Sequence, residues 1–324
     1  MAKSRAARNR TLVLSESERA RFSQRLAHLE RPLPIHDIVN TTVNQDLFAA
    51  LQYLPAAFVD LLFVDPPYNL PKRFGKGTYA PMSHEAYTHY VQSWLSRLMP
   101  VLKPTASVYV CSDWRSSAAI QATMSKYLMV RNRIVWERDK GRGARANWKN
   151  CCEDIWFGTV SNDYYFDLQA VKLKRRVVAP YRDNSGDPKD WYEEHQGRYR
   201  LTHPSNMWTD ITVPFWSMPE NTDHPTQKPE KLLARVILAS SRPGDVILDP
   251  FLGSGTTSVV AKKLARRYVG VEIDHEYCCL AEKRLEAASD NPAIQGYTGG
   301  VFWERNTAHH QAKAKHGTGN SKRI

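Results

Sequence analysis

The sequence predicts an α/β fold: a mostly parallel sheet with helices on both faces, interrupted by one irregular insertion. Three observations predict it. Leu61-Leu62-Phe63-Val64 is a short continuous apolar run with the length of a fully covered parallel strand. Strand-like runs alternate with helical periodicity from about residue 39 to residue 158. Asp245-Val246-Ile247-Leu248 then feeds a glycine turn and a helical stretch, the strand–turn–helix of a nucleotide-binding unit.

With 324 residues, 42% of them hydrophobic, the chain can build one large α/β domain plus an insertion, or two domains. Forty-five Lys and Arg against 33 Asp and Glu give a formal charge of +12. That excess favours a polyanionic partner without separating DNA from RNA or a membrane surface. No apolar run approaches the ~20 residues of a membrane span, and no apolar stretch follows the basic N-terminus, so neither membrane nor secretory signal is expected. Cys111, Cys151, Cys152, Cys278 and Cys279 lack C-x-x-C spacing, which argues against zinc and against a disulfide framework and fits a reducing cytoplasm. There is no Pro-Cys dipeptide, so attack on a ring carbon through a thiolate is not expected.

The first dozen residues carry Lys3, Arg5, Arg8 and Arg10 without apolar periodicity and read as a disordered arm, solvated or laid along phosphates. Ser15 to Glu18 forms a capping box that opens a helix to about Glu30, ended by Pro32 and Pro34. A short strand over 39–43 leads to Asp46, which suits the cap of a helical stretch from Leu47 to Leu54. The central strand, from Asp60, ends in Asp65-Pro66-Pro67-Tyr68. Two prolines cannot donate to a ladder and fix φ, so a carboxylate and a ring leave the sheet at a nearly fixed separation. They do so at the carboxyl edge, where open α/β sheets bind ligands. Alone, the tetrapeptide reads equally as a Pro-rich turn with Tyr68 as a packing residue.

Asn69 to Pro81 reads as a loop with Lys72, Arg73, Gly75, Lys76 and Gly77, either closing on a ligand or simply exposed. Ser83 caps a helix whose Tyr87, Tyr90, Val91, Trp94, Leu95 and Leu98 form a core stripe. A strand over 106–111, a helix over 114–127 and strands over 130–137 and 152–158 follow. The loop between the last two carries Arg138, Lys140, Arg142, Arg145, Trp148 and Lys149. Cations there can neutralise phosphates and the indole can stack on a base, against the alternative of a solvated loop. Residues 161–222 break the alternation, with a Lys172, Lys174, Arg175, Arg176 cluster and aromatics of no clear period. They read as an insertion with little regular structure, suited to reaching base edges or else a structural excursion.

His224-Pro225-Thr226-Gln227-Lys228-Pro229 precedes a helix from about Glu230 to Ser241, with Pro229 suited to the first turn. Asp249-Pro250-Phe251-Leu252-Gly253-Ser254-Gly255-Thr256-Thr257 is not the dinucleotide fingerprint, because Ser258 holds the third glycine position. Such a turn suits a zwitterionic amino acid better than a pyrophosphate. Glu272 lies at the spacing of a ribose-binding carboxylate, the favoured reading; the alternative is a strand-end carboxylate or, with Asp274, a cap. Residues 299–324 are polar and basic and read as a disordered tail.

Together, D-P-P-Y, H-P-T-Q-K-P, D-P-F-L-G-S-G-T-T and V-G-V-E resemble the S-adenosylmethionine-dependent DNA amino-methyltransferases, in that family's beta motif order and over about residues 40–290. The resemblance implies a Rossmann-like methyltransferase sheet, S-adenosylmethionine as cofactor and no metal. It implies transfer to the exocyclic nitrogen of a flipped base in double-stranded DNA, with N6 of adenine preferred because Asp rather than Ser opens the tetrapeptide and N4 of cytosine left open. The catalytic residues it implies are Asp65, Pro66, Pro67 and Tyr68. Cofactor contacts fall on Asp46, Thr226, Lys228, Asp249, Phe251, Gly253, Gly255, Thr256, Glu272 and Asp274, with Lys228 and Thr226 at the methionine end. DNA contacts are expected from Lys72, Arg73, Arg138, Lys140, Arg142, Arg145, Trp148, Lys149, Lys174 and Arg175. The expected division is a basic arm and helix (1–34), a catalytic half (35–160), a target-recognition region (161–222), a cofactor half (223–298) and a tail (299–324). A cognate restriction endonuclease and a homodimer remain open as partners, and a cytoplasmic, nucleoid-associated location is expected. A non-catalytic DNA-binding subunit and an RNA methyltransferase are the competing readings. Departure from Asn-Pro-Pro-Tyr weighs against a protein substrate.

Overall fold

Eight strands make the main sheet, in the spatial order Thr41–Asn44, Arg267–Glu272, Val246–Asp249, Val59–Val64, Leu102–Ser112, Cys152–Thr159, Met129–Glu137, Met207–Trp208. The computed structural model describes residues 6–74, 77–138, 146, 148–178, 181–194, 197–305 and 307. Cys152–Thr159 runs antiparallel to both neighbours, and the other pairings of this sheet are parallel. The central Val59–Val64 strand hydrogen-bonds to Val246–Asp249 on one side and Leu102–Ser112 on the other. Its pleat sorts its side chains between two helical layers. Leu62 and Val64 join the cluster of Val91, Trp94 and Ile120, on helices His84–Leu98 and Ser117–Tyr127. Leu61 and Phe63 join Leu233, Ile237 and Val260, on helices Glu230–Ser240 and Thr256–Lys263. Burial on both faces is why its Leu61–Val64 run is continuously apolar rather than alternating.

From Val59–Val64 the chain crosses to Leu102–Ser112, whereas from Val246–Asp249 it crosses the opposite way to Arg267–Glu272. The crevice between adjacent strands whose connections diverge is where such sheets bind ligands. Asp65 follows one of those strands and Asp249 ends the other.

Several expectations are corrected here. The first helix, with its Ser15–Glu18 capping box, spans only Glu16–Ser23. Beyond it a turn at residues 24–25 leads to Ala27, which bridges Val43, and the Gln45 side chain bonds both backbone groups of Leu29. The expected Leu47–Leu54 helix is a single turn, Leu47–Ala50. Residues 10–12 of the expected arm bond to the chain, Arg10 N–H donating to the Trp216 carbonyl and Leu12 N–H to that of Asn221. Lys3 and Arg5 lie outside the described residues. The loop after Asn69 contains an antiparallel ribbon, Lys72–Phe74 with Gly77–Tyr79; Gly75 and Lys76 lie outside the described residues.

The insertion is also more regular than expected. Leu173–Arg176, Tyr192–Glu194 and Gly197–Thr202 form a second sheet with Tyr297–Thr298 and Val301–Trp303, and Met207–Trp208 extends the main one. The chain beyond residue 299 is therefore not a tail from its first residue, since Phe302 is fully buried beside Leu173. Residues 308–324 lie outside the described residues. Strands of two to six residues carry too little alternation to be read from sequence.

Candidate active site

Three strand ends line one cavity of about 500 Å³, and a fourth reaches the same edge beside it. Asp65 follows Val59–Val64, Asp249 ends Val246–Asp249, and Glu272 ends Arg267–Glu272. Cys152–Thr159 runs the other way, so it is its beginning, with Glu153, that meets the same edge. The tetrapeptide is braced on both sides. The Tyr87 hydroxyl donates to the Pro67 carbonyl at 3.1 Å. The Asn69 amide bonds both backbone groups of Met82, at 2.8 and 2.6 Å, and so closes the base of the ribbon.

At one end of the cavity, two carboxylates share two donors. Tyr68 Oη lies 2.9 Å from Asp65 Oδ1 and 3.0 Å from Glu153 Oε2. Lys228 Nζ lies 2.6 Å from Asp65 Oδ2 and 3.3 Å from Glu153 Oε2, and 5.4 Å from the Tyr68 ring centroid. Arg138 Nη1 holds Glu153 Oε1 at 3.0 Å. Burial and the Glu153 charge together outweigh Lys228 at Asp65 and push its carboxyl above the usual range. Burial also acts to raise Glu153, but Lys228 and Arg138 overcome it and hold that carboxyl low. Lys228 stays charged, because Asp65 and Glu153 outweigh its burial.

At the other end, backbone groups take over. Glu272 accepts the Gly253 N–H at 2.9 Å and the Asp274 N–H at 2.8 Å. Asp249 accepts the Phe251 N–H at 3.1 Å and the Thr257 hydroxyl at 2.5 Å, and burial pushes its carboxyl up to about 7. Gly253 has φ +53°, and a Cβ there would meet His224 Nε2 at 2.9 Å. Gly255, at φ +83°, is pressed against the helix His275–Asp290, where a Cβ would stand 2.5 Å from that of Ala281.

Of the expected cofactor contacts, Thr226, Lys228, Asp249, Phe251, Gly253, Thr256, Glu272 and Asp274 line this cavity, as do Asp65, Pro66, Pro67 and Tyr68. The Lys228 ammonium lies at the Asp65 end of the cavity. Gly255 serves helix packing, and Asp46 caps the Leu47–Ala50 turn by accepting from Phe48 and Ala49 N–H. Asp274 likewise caps the helix that follows it.

The expected DNA contacts divide sharply. Lys174 is corrected: it is buried in the second sheet, 2.6 Å from Glu194 and over the rings of Tyr199 and Trp303 at 4.6 and 4.5 Å, so its charge is engaged within the protein. Arg138 turns inward to Glu153. Trp148 is 96% exposed, Lys149 is exposed, and Arg175 is half-exposed, 3.7 Å from Glu304. Lys72 and Arg73 sit on the ribbon. Lys140, Arg142 and Arg145 lie outside the described residues.

Glu153 and Tyr277 were not foreseen. Tyr277 lines the cavity and meets His224 edge-on at 4.5 Å. The signal for Glu153 was a carboxylate opening an otherwise buried strand, but only the strand's direction, which sequence does not carry, brings it to the active edge.

A doubly wound sheet with a carboxylate-lined cavity at the divergence of its crossovers is the architecture of Rossmann-like methyltransferases, and solved structures of that class align with it. PvuII DNA methyltransferase, cytosine-N4-specific, does so with a TM-score of 0.57 at 17% identity, over 77% of this chain and 90% of that one. The M1.HpyAVI complex with SAM gives 0.52 at 22% identity, over 75% and 98%. Sequence relatives narrow the class. A family model described as DNA methylase, of N6 and N4 methyltransferases, matches residues 59–283. DNA adenine methyltransferase YhdJ of Escherichia coli strain K12 is 34% identical over 77% of this chain and 83% of its own length. Type II methyltransferase M.HpaI of Haemophilus parainfluenzae is 31% identical over 74% and 71%. The chain belongs to this N6/N4 DNA methylase family.

Proposed function

We propose that this DNA methyltransferase transfers a methyl group from S-adenosylmethionine to N6 of adenine in duplex DNA. The observation that carries the reading is the Asp65 carboxylate, presented to the cavity and paired with Lys228. An exocyclic amine is a poor nucleophile because its lone pair is delocalised into the ring. A carboxylate accepting one of its N–H groups, with the Pro66 carbonyl accepting the other, favours a pyramidal nitrogen. An ionised acceptor does this more strongly than a hydroxyl. The adenine preference rests on Asp at this position and on the name of the Escherichia coli relative.

The target base would leave the duplex to reach this buried edge and stack on Tyr68. The cavity fits the cofactor. Glu272 keeps lone pairs for ribose hydroxyls, Phe251 walls the nucleoside, and Asp249, Thr226 and the Gly253 turn face the amino-acid end. The cofactor supplies an electrophilic methyl on a sulfonium. The chain's own work is to place the amine and exclude water, and positioning is the main source of rate. Trp148, Lys149, Arg175 and the ribbon of Lys72 and Arg73 contact the DNA, and residues 161–222 read its sequence. Two relatives named as type II methyltransferases support a restriction–modification setting with a cognate endonuclease.

The test is transfer of labelled methyl to duplex DNA followed by nucleoside analysis. N6-methyladenine is expected. N4-methylcytosine would keep the chemistry and move the target base. No transfer to DNA by protein that binds cofactor would overturn the reading.

A further inference from the structure

We propose that Glu153 is a positioning residue for methyl transfer: it is the acceptor that keeps the Tyr68 hydroxyl partnered when the target amine takes its place on Asp65. This rests on the reading of Asp65 as the acceptor for that amine. Tyr68 Oη stands almost equidistant from Asp65 Oδ1, at 2.9 Å, and Glu153 Oε2, at 3.0 Å. A phenol has one proton and can donate to one carboxylate at a time. Tyr68 also lines the cavity where the base must stack. When an amine N–H arrives at Asp65 Oδ1, the phenol loses that acceptor. A buried donor left unpaired costs more than the bond it made. With Glu153 already within reach, the hydroxyl transfers its bond without moving the ring, and the stacking surface stays where the base needs it.

Glu153 is placed and charged for this exchange. Its backbone is held by pairing with Trp136 on Met129–Glu137, one residue beyond Asp154, where the ladder with Leu102–Ser112 ends. Arg138 fixes its other oxygen at 3.0 Å, and Lys228 approaches the shared oxygen at 3.3 Å. The charged and titratable groups facing the pair are Lys228, Arg138, Asp249, Cys111 and Tyr68. Lys228 and Arg138 keep Glu153 anionic, and so a strong acceptor, against its burial. Its side chain is only 8% exposed, so a carboxylate there without a role would be costly.

The experiment measures single-turnover methyl transfer by the full chain to unmethylated bacterial genomic DNA, with S-adenosylmethionine affinity read separately. Glu153→Ala and Glu153→Met, the latter filling the space without an acceptor oxygen, should each slow transfer about 10- to 100-fold. Cofactor affinity should stay within about threefold. Glu153→Gln retains an acceptor oxygen and should recover most of the rate at neutral pH. Its acidic limb should move to lower pH, because one like charge has left Asp65. In a Tyr68→Phe background, with no hydroxyl to rehouse, Glu153→Met should cost far less than in wild type. Wild-type rates in Ala and Met, or losses that multiply fully with Tyr68→Phe, would overturn the proposal. If either substitution prevents folding, the other decides. An inert Asp65→Ala beside a fully active Glu153→Met sinks the Glu153 role alone, whereas an active Asp65→Ala sinks the reading beneath it.

Discussion

The two ends of the cavity hold their carboxylates by different means. Asp65 and Glu153 are held by side chains, namely the ammonium of Lys228, the guanidinium of Arg138 and the phenol of Tyr68. Glu272 and Asp249 are held mainly by backbone N–H groups, from Gly253, Asp274 and Phe251, with one hydroxyl from Thr257. Backbone donors locked in a turn cannot change partners without refolding it, whereas side chains on rotatable stems can. The difference fits the proposed division of labour, in which the backbone-held end presents a preformed surface and the side-chain-held end exchanges partners during turnover. It also explains the placement of charge. Cations gather where a carboxylate must stay ionised, and are replaced by neutral donors where it need only accept.

The largest effect should come from the exchanging end. Asp65→Ala removes the proposed acceptor for the amine and should lower transfer by about 10³-fold, the scale on which a single preorganised charge-stabilising group acts. Cofactor affinity should change little, because the preformed end is untouched. Parallel losses of both would erase the proposed division.

Next is Gly255 at the preformed end. A Cβ there would lie 2.5 Å from Ala281 Cβ on a backbone at φ +83°. Gly255→Ala therefore combines left-handed strain with overpacking and should cost about 2–5 kcal/mol of stability by denaturant unfolding. A cost under about 0.5 kcal/mol would show that the turn is not the rigid element the comparison requires.

Glu272→Gln should be gentler. It keeps an acceptor oxygen but loses the charge, so S-adenosylmethionine affinity should fall about tenfold with the rate at saturating cofactor within about threefold. A fall in saturated rate without a fall in affinity would place Glu272 in the chemistry instead.

The same contrast explains what the sequence revealed. The preformed end was legible because it is local: strand, glycine turn, helix and the next strand follow within one stretch, Val246 to Glu272, and carry spacing that chemistry dictates. Asp65 and Tyr68 were legible because two prolines announce a stiff exit from an apolar strand. At the exchanging end Lys228 was expected in the site, but neither its pairing with Asp65 nor Glu153 was, because these contacts are tertiary. Lys228 comes from 163 residues away and Glu153 from a strand whose direction no pattern encodes. Lys174 misled for a related reason. A cluster of basic letters shows charge, but whether a lysine faces solvent or lies over Tyr199 and Trp303 depends on a strand pairing made with residues 301–303.

The smallest effect is a pH dependence at the preformed end. Asp249 has no cation in hydrogen-bonding reach among the described residues, and burial lifts its folded-state carboxyl from 3.8 to about 7. In the unfolded chain it titrates near its ordinary value, so between the two values the folded state binds the extra proton. Stability from this group is complete below about 4 and is lost as pH rises through about 7. Asp249→Asn cannot titrate. The wild-type thermal midpoint should therefore fall relative to the variant's between pH 5 and 8, whatever the other carboxylates contribute to both. The comparison is sharpest here, because Asp65 is also raised by burial but sits against Lys228. Lys228→Met should accordingly raise the acidic limb of the transfer rate, while leaving the Asp249 stability slope in place. If the Asn variant and wild type melt in parallel across that range, Asp249 is ionised in the folded protein. The preformed end would then need a cation of its own.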